Sequence, residues 1–360
     1  MPLKILFIES DQLEEYNCSN WRCVMPARAL LRAGHHARVL RLENFAGRMP
    51  EADKLMREAD LVFYQRNVFH DIVHTIFQWK AQGSRIVVDL DDAYEHMTEE
   101  TGSPSFNFWK HGKATQPDGH EGTLDPLPMV VLRHGVKICG SLTSPSKLIC
   151  EDWRKYAKPY WFPNYVDISL FDTAPTYRMP GRIHLGWGGS MTHLVSWTGS
   201  GAVEAVTQLI NEQKDRINIV LFGDPRTERF FKIPKPNRLV AGWIPQANFA
   251  AKLSHIDIGL IPLYGEYDRR RSWIKTAEFG VMGIPWIGSD MEPTWDAKGG
   301  CRVENTAEAW YDALKFHVDH YADVKEAAER SVEENRHFFS IDENVGHLIK
   351  LCEQIIEGYE

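Results

Sequence analysis

Hydrophobic residues along this chain gather into short runs separated by amphipathic stretches, and the alternation begins at once. Residues 3–8 (LKILFI) form a nearly continuous apolar run of strand length. A helical pattern follows over 21–33 and closes at Gly34, and a second strand is predicted over 36–42. A third apolar run, 61–65, is reached through a short acidic segment. Residues 71–82 then read as a helix ending at Gly83, and 85–89 as another buried strand. Strands spaced by helices predict βαβ units built on a parallel sheet.

The alternation lapses over 98–128, where Gly, Pro, His and Asn stand among the scattered aromatics Phe106, Phe108 and Trp109. A stretch this long without periodicity predicts a lid, a binding loop or disorder. Beyond it, 136–143 reads as a strand, 146–156 as a helix and 160–163 as a short strand. The Asp, Pro and Thr content of 164–180 marks a boundary. Strands are then predicted at 183–187, 217–222, 239–241, 256–262 and 285–288, with helices over 201–213 and 248–254. From Thr306 onward the chain is helical and acidic. The expected division is a first domain over 1–165, a linker over 166–180, a second domain over 181–335, and a helix within 336–360 that can pack back on the first domain. The predicted fold class is α/β, with two Rossmann-like domains facing across a cleft. A chain of 360 residues exceeds one ordinary core and suits this division.

Composition narrows the partners. The formal net charge is −8, and no polybasic tail is present. Nucleic-acid binding through bulk charge is therefore not indicated, although a local basic groove stays open. The six cysteines include no C-x-x-C pair, so neither a zinc knuckle nor a thioredoxin-like motif is offered. The first apolar run is too short for a signal peptide, and no run approaches the roughly 18 apolar residues of a membrane span. The expectation is a cytoplasmic protein with reduced thiols.

Candidate chemistry concentrates in 269–290 (RRRSWIKTAEFGVMGIPWIGSD). A basic cluster opens a predicted helix, on which Arg271, Lys275 and Glu278 share one face. Cations at a helix start oppose the dipole, but they suit an anion held there by free backbone N–H groups. A carboxylate two turns along then suits sugar hydroxyls. An ordinary amphipathic helix can begin the same way. Ser272 either donates to a phosphate oxygen or simply begins the helix. The GWGGS turn at 186–190 follows a strand and precedes a helical region, which suits close approach of an anion to Gly188, Gly189 and Ser190. Glycine also serves tight turns for purely conformational reasons. His193 either bonds a phosphate or sugar hydroxyl or packs as a structural histidine.

In the first domain, Asp89, Asp91 and Asp92 close a Val-rich strand. Carboxylates at that end of a parallel strand lie where ligands bind. Asp91 or Asp92 can orient an acceptor hydroxyl or act as a general base; oxygen ligation of Mg²⁺ and helix capping are the alternatives. Arg66, next to Gln65, ends another strand and Arg22 begins a helix, positions suited to bidentate anion contacts or to surface ion pairs.

Four segments of the chain resemble GT-B-fold glycosyltransferases, most closely the retaining, family-4-like group. They are IHLGWGGSMTH (183–193), INIVLFGD (217–224), RLVAGWIPQANFAAKLSHIDIGLIPL (238–263) and the 269–290 segment, where Glu278 precedes Gly283 and Pro285. The resemblance implies a nucleotide-sugar co-substrate, UDP- or GDP-linked, with Glu278 on its ribose and the Gly188–Gly189 turn at its diphosphate. It places Arg271 and Lys275 on the diphosphate and implies transfer with retention, without a metal. Ser190, His193 and Ser272 are expected on the donor side, Asp91 as a catalytic carboxylate, and Asp92 and Arg66 on the acceptor side. The sequence departs from the group in two places. Arg270 stands where an E-x7-E pattern has its first glutamate, and Gly189, Ser190 and His193 replace the usual basic pair.

The implied acceptor is a saccharide or glycolipid. A hydroxymethylated DNA base also stays open: net charge weighs against it, but the 110–120 loop has cationic and aromatic character. Two other readings stay open as well, a GT-B-like sugar-nucleotide epimerase and a non-catalytic nucleotide-sugar-binding protein.

Overall fold

The computed structural model describes residues 1–11, 17–68, 70–99, 104–115, 119–172 and 181–359. In the first domain, strands β1 (Lys4–Glu9), β2 (His36–Arg41), β3 (Leu61–Gln65) and β4 (Ile86–Asp89) precede a small antiparallel hairpin, β5 (Lys113–Thr115) and β6 (Glu121–Thr123). Strands β7 (Ser141–Ser144) and β8 (Lys158–Trp161) complete a parallel sheet ordered β2-β1-β3-β4-β7-β8. Both faces of this sheet are covered, which is why β1 and β3 read as apolar runs rather than alternating ones.

The second domain repeats the arrangement with β9 (Ile183–Gly189), β10 (Ile217–Gly223), β11 (Arg238–Val240), β12 (Ile258–Ile261), β13 (Trp286–Ser289) and β14 (Gly300–Val303). Its parallel sheet is ordered β11-β10-β9-β12-β13-β14, so the strand order reverses between β9 and β12. The fold is therefore α/β with two doubly wound parallel-sheet domains. Crevices at such reversal points are where ligands bind in open α/β sheets.

The domains are laced together. Val166 donates to the Phe339 carbonyl at 2.7 Å, and Ile341 donates to the Val166 carbonyl at 2.9 Å. Two chain crossings thus run side by side. After the second, helix Val345–Glu357 buries Leu348, Leu351, Cys352 and Ile355 against Ile5, Phe7 and Phe63 of the first sheet.

Several local expectations are corrected. Only the end of the strand predicted over 136–143 forms: helix Pro128–Cys139 takes 136–139 and ends at Gly140 with φ 73°, and β7 begins at Ser141. Pro128 starts the helix, and Leu132, Val136 and Cys139 recur at helical spacing on its buried side. A short apolar run cannot by itself tell strand from buried helix. The 98–128 stretch is not structureless where it is described. It contains helix Pro104–His111 and the β5–β6 hairpin, and Trp109 packs on Tyr94 with ring centroids 4.4 Å apart. The predicted 21–33 helix begins with a π-type turn, Asn20–Val24, before helix Met25–Arg32. The acidic segment before β3 holds two further helices, Leu42–Ala46 and Pro50–Glu58.

Candidate active site

A cleft of about 250 Å³ opens at the reversal point of the second sheet. Gly188 and Gly189 at the end of β9, Phe222 and Gly223 at the end of β10, and Ile261 and Leu263 at the end of β12 form its floor. Asn17, Cys18, Trp21, Asp91 and Asp92 close it from the first domain.

Glycine is sterically required at two floor positions. A Cβ on Gly189 would lie 2.7 Å from the Trp187 ring and 3.0 Å from the His193 ring. One on Gly223, at φ +91°, would lie 2.4 Å from the Gly189 carbonyl oxygen. Gly188 has ordinary clearance, 3.4 Å to the nearest atom of Phe222. The turn beyond is tied down by side chains. The Ser190 and Thr192 hydroxyls lie 2.7 Å apart, and Arg271 Nη2 donates to Thr192 Oγ1 at 3.1 Å.

The basic cluster divides, and the expected continuous helix does not form. Helix Gly265–Arg269 ends, the chain turns, and helix Ile274–Val281 begins afresh. The break still delivers Arg271, Lys275 and Glu278 to one cavity. Arg269 instead pairs with Glu292 and Glu266, while Arg270 reaches across the cleft to Asp152, with Nε donating at 2.6 Å. The arginine at the departure from E-x7-E is thus an interdomain tie. Arg271 is anchored by its Nε donating to Asp268 at 2.7 Å, and its guanidinium lies 4.6 Å from the centre of the Tyr267 ring. Ser272 lies on the cleft and accepts from the Asn164 side-chain amide at 2.9 Å.

Electrostatics set the protonation of this wall. Burial lowers the Lys275 ammonium to about 8 despite the opposing Glu278 carboxylate, with Arg271 also disfavouring its charge. Lys275 Nζ also lies 5.6 Å from the centre of the Trp187 ring. Burial, then Arg271 and Lys275, hold His193 well below the usual histidine range, so it is a neutral hydrogen-bonding group. Its ring packs edge-on against Trp187, and its Nδ1 lies 3.4 Å from Ser196 Oγ. Glu278 is buried in the same cavity.

On the opposite wall the acidic residues have separate surroundings. Asp89 is buried and gripped by Arg22, with Nε at 2.9 Å and Nη2 at 2.6 Å, and accepts from Thr143 Oγ1 at 2.7 Å. Arg22 also donates to the Phe162 carbonyl and to Asn164 Oδ1. It is neither a surface pair nor a cleft contact. Asp91 is bonded to Arg66 and accepts from the Tyr94 hydroxyl at 2.6 Å. Burial pushes its carboxyl up, but Arg66 and Tyr94 outweigh that and hold it below the usual range. Arg66 itself is fixed between Asp11 and Asp91, set back from the lining of the cleft. Asp92 faces the second domain and accepts from the Tyr267 hydroxyl. Burial raises its carboxyl, opposed chiefly by Arg271 and the Tyr267 bond.

Of the predicted residues, the cavity gathers Gly188, Gly189, Ser190, His193, Arg271, Ser272, Lys275, Glu278, Asp91 and Asp92. It also has an apolar wall that the sequence reading did not single out: Trp243, Ile244, Phe249 and Leu253, together with Phe222. The G-W-I-P turn at 242–245 was its available signal, an aromatic held beside a glycine and a proline after a strand. Cys18 and Trp21 precede and begin a pattern that reads as plain helix, and nothing in it marks them as cleft-facing. Among the described residues there is no cluster of three or more metal-ligating side chains, and no helix long and apolar enough to cross a membrane.

No family model matches the chain, and no curated protein matches it in sequence. Solved structures do match in shape. Sucrose-phosphate synthase from Thermosynechococcus elongatus aligns over 99% of this chain and 99% of its own, at 13% identity and a TM-score of 0.65. An alpha-glucosyltransferase solved with UDP and a 13-mer DNA containing an HMU base aligns over 98% of this chain and 100% of its own, at 12% identity and 0.64. The catalytic domain of starch synthase IV from Arabidopsis thaliana, solved with ADP and acarbose, covers 99% and 100% at 12% identity and 0.65. The chain has the GT-B fold that these proteins share.

Proposed function

We propose that the protein is a glycosyltransferase that moves a sugar from a nucleotide donor, UDP- or GDP-linked, to an acceptor hydroxyl with retention. The observation that carries this reading is the convergence of Arg271, Lys275 and the Gly188–Gly189 turn at one end of the cleft, opposite the Asp92 carboxylate. The donor diphosphate lies against Arg271, Lys275 and the turn. Helix Ile274–Val281 has no side-chain cap hydrogen bond at Trp273, so its first N–H groups add to the anion field. Glu278 takes the ribose hydroxyls, and the apolar wall with Trp243 takes the base. His193, neutral, donates to a phosphate or sugar oxygen.

In the transfer step the bond from the anomeric carbon to the leaving phosphate oxygen breaks, and its electron pair stays on the phosphate. The acceptor oxygen bonds to the same face of that carbon, and its proton passes to the departing phosphate. Arg271 and Lys275 stabilise charge that peaks on the diphosphate in the transition state. Asp92 accepts the hydrogen bond that orients the acceptor hydroxyl. Asp91, committed to Arg66, supports the loop that presents Asp92. The closed cleft keeps water from intercepting the donor.

The test is thermal stability with a panel of UDP-, GDP-, ADP- and CMP-sugars and the bare nucleotides. A ligand at about 100 times its Kd stabilises by roughly 2.7 kcal/mol. The expected result is a selective shift that Glu278→Ala removes. No shift across the panel would overturn the reading. Conversion of the donor to an epimeric nucleotide sugar, without release of nucleoside diphosphate, would replace transfer by epimerisation.

A further inference from the structure

Helix Gly265–Arg269 belongs to the second domain by sequence, yet its Tyr267 is buried in the apolar core of the first. Phenylalanine would satisfy that apolar packing equally well. The hydroxyl is engaged elsewhere, donating to the Asp92 carboxylate of the first domain. The ring carries the Arg271 guanidinium over its face at 4.6 Å. A single side chain therefore touches both the group placed on the acceptor side and the group placed on the diphosphate. Its helix is also held against the first domain from the other end, through Arg270 and Asp152.

We propose that Tyr267 is a positioning residue that sets the register of the two halves of the site: its hydroxyl aims Asp92 and its ring aims Arg271. The proposal rests on the glycosyl-transfer reading for the role of those two groups, but the coupling itself does not.

The coupling has a signature in pH. Asp92 is faced by Asp91 from its own segment and by Arg271 and Tyr267 from the second domain, with Arg66 behind Asp91 and Asp268 beside Arg271 and Tyr267. Burial is the largest influence on Asp92 and pushes it up, while Arg271 and the phenol hold it down. The Ala93 N–H adds a third restraint, and removing the phenol hydroxyl removes one of the three. The carboxylate then protonates at higher pH, and activity on the acid side is lost sooner.

Tyr267→Phe in the full-length chain keeps the ring, and so the packing and the Arg271 contact. Asp92 is followed by carboxyl carbon NMR on aspartate-labelled protein, its signal identified by its absence in Asp92→Asn. The expected result is a midpoint raised by about half a pH unit or more, with affinity for inorganic pyrophosphate changed less than two-fold. Turnover of the nucleotide sugar selected by thermal stability should fall about ten-fold in kcat, with the acid limb displaced upward. In an Asp92→Asn background the same substitution should have little further effect. An unchanged midpoint, or a full kcat loss in that background, would overturn the proposal. If the midpoint shifts but the wild-type chain turns over no nucleotide sugar, the coupling stands and the transfer reading is what fails.

Discussion

On the first-domain wall the arginines near the cleft are committed to carboxylates: Arg22 to Asp89, and Arg66 to Asp11 and Asp91. On the second-domain wall Arg271 gives one edge to Asp268, and among the described residues Lys275 forms no ion pair. Burial there, with Arg271 adding to it and Glu278 opposing, lowers Lys275 to about 8, and burial with both cations keeps His193 neutral. Committed, buried pairs hold a shape; a cation that faces a concave, water-poor site without an ion-pair partner is suited to an incoming anion. On the proposed reading the first wall is scaffold and the second carries the anion chemistry, with Asp92 as the first wall's outward-facing exception.

The contrast can be broken most severely at Arg22. Arg22→Ala leaves Asp89 buried and uncompensated, a loss of roughly 3–5 kcal/mol for a broken buried pair. Urea unfolding should show a much lower midpoint, and an unchanged midpoint would refute the scaffold assignment. On the other wall, Lys275→Ala should leave the unfolding midpoint close to wild type. It should lower kcat by about 10²–10³, as expected for losing one preorganised electrostatic contact, with a smaller loss of donor affinity. Equal losses in rate and binding would show that Lys275 only holds the ground state.

A pH series sharpens the same point with no substitution. Lys275 is charged below about 8 and neutral above it. The stabilising charge is therefore present at neutral pH, and kcat/KM should fall as pH rises through that value. In Lys275→Arg, which stays charged, the alkaline fall should disappear. The smallest effect is expected at Arg269, half-exposed and paired with Glu266 and Glu292. Arg269→Ala should change stability by no more than about 1 kcal/mol and leave turnover within two-fold. A large loss there would mean that the basic cluster acts as a unit.

The α/β repetition was legible because strands buried on both faces appear as uninterrupted apolar runs, and because Gly34 and Gly83 punctuate the helices. The helix over 128–139 was not, since its last turn, Val136–Cys139, runs straight into β7 across a single glycine. At the cleft, spacing was enough to put Arg271, Lys275 and Glu278 together, although Arg271 lies in the turn before the helix that carries the other two. Where Arg269 and Arg270 go instead was not legible. That depends on Asp152, Glu266 and Glu292, and Asp152 lies more than a hundred residues away in the chain. Tyr267 was hidden for the same reason, because its partner Asp92 belongs to the other domain.

The packing of helix Val345–Glu357 on the first sheet orders events during synthesis. Ile5, Phe7 and Phe63 leave the ribosome well before Leu348 to Ile355, which complete their cover beside Cys23, Ala27 and Leu30. The second domain depends on nothing so late: its strands and covering helices lie within 183–339, and the outside residues in its core, among them Trp21, Met25 and Ile341, precede that helix. The half synthesised second can therefore complete its core before the half synthesised first, whose sheet waits, with part of one face uncovered, for helix Val345–Glu357.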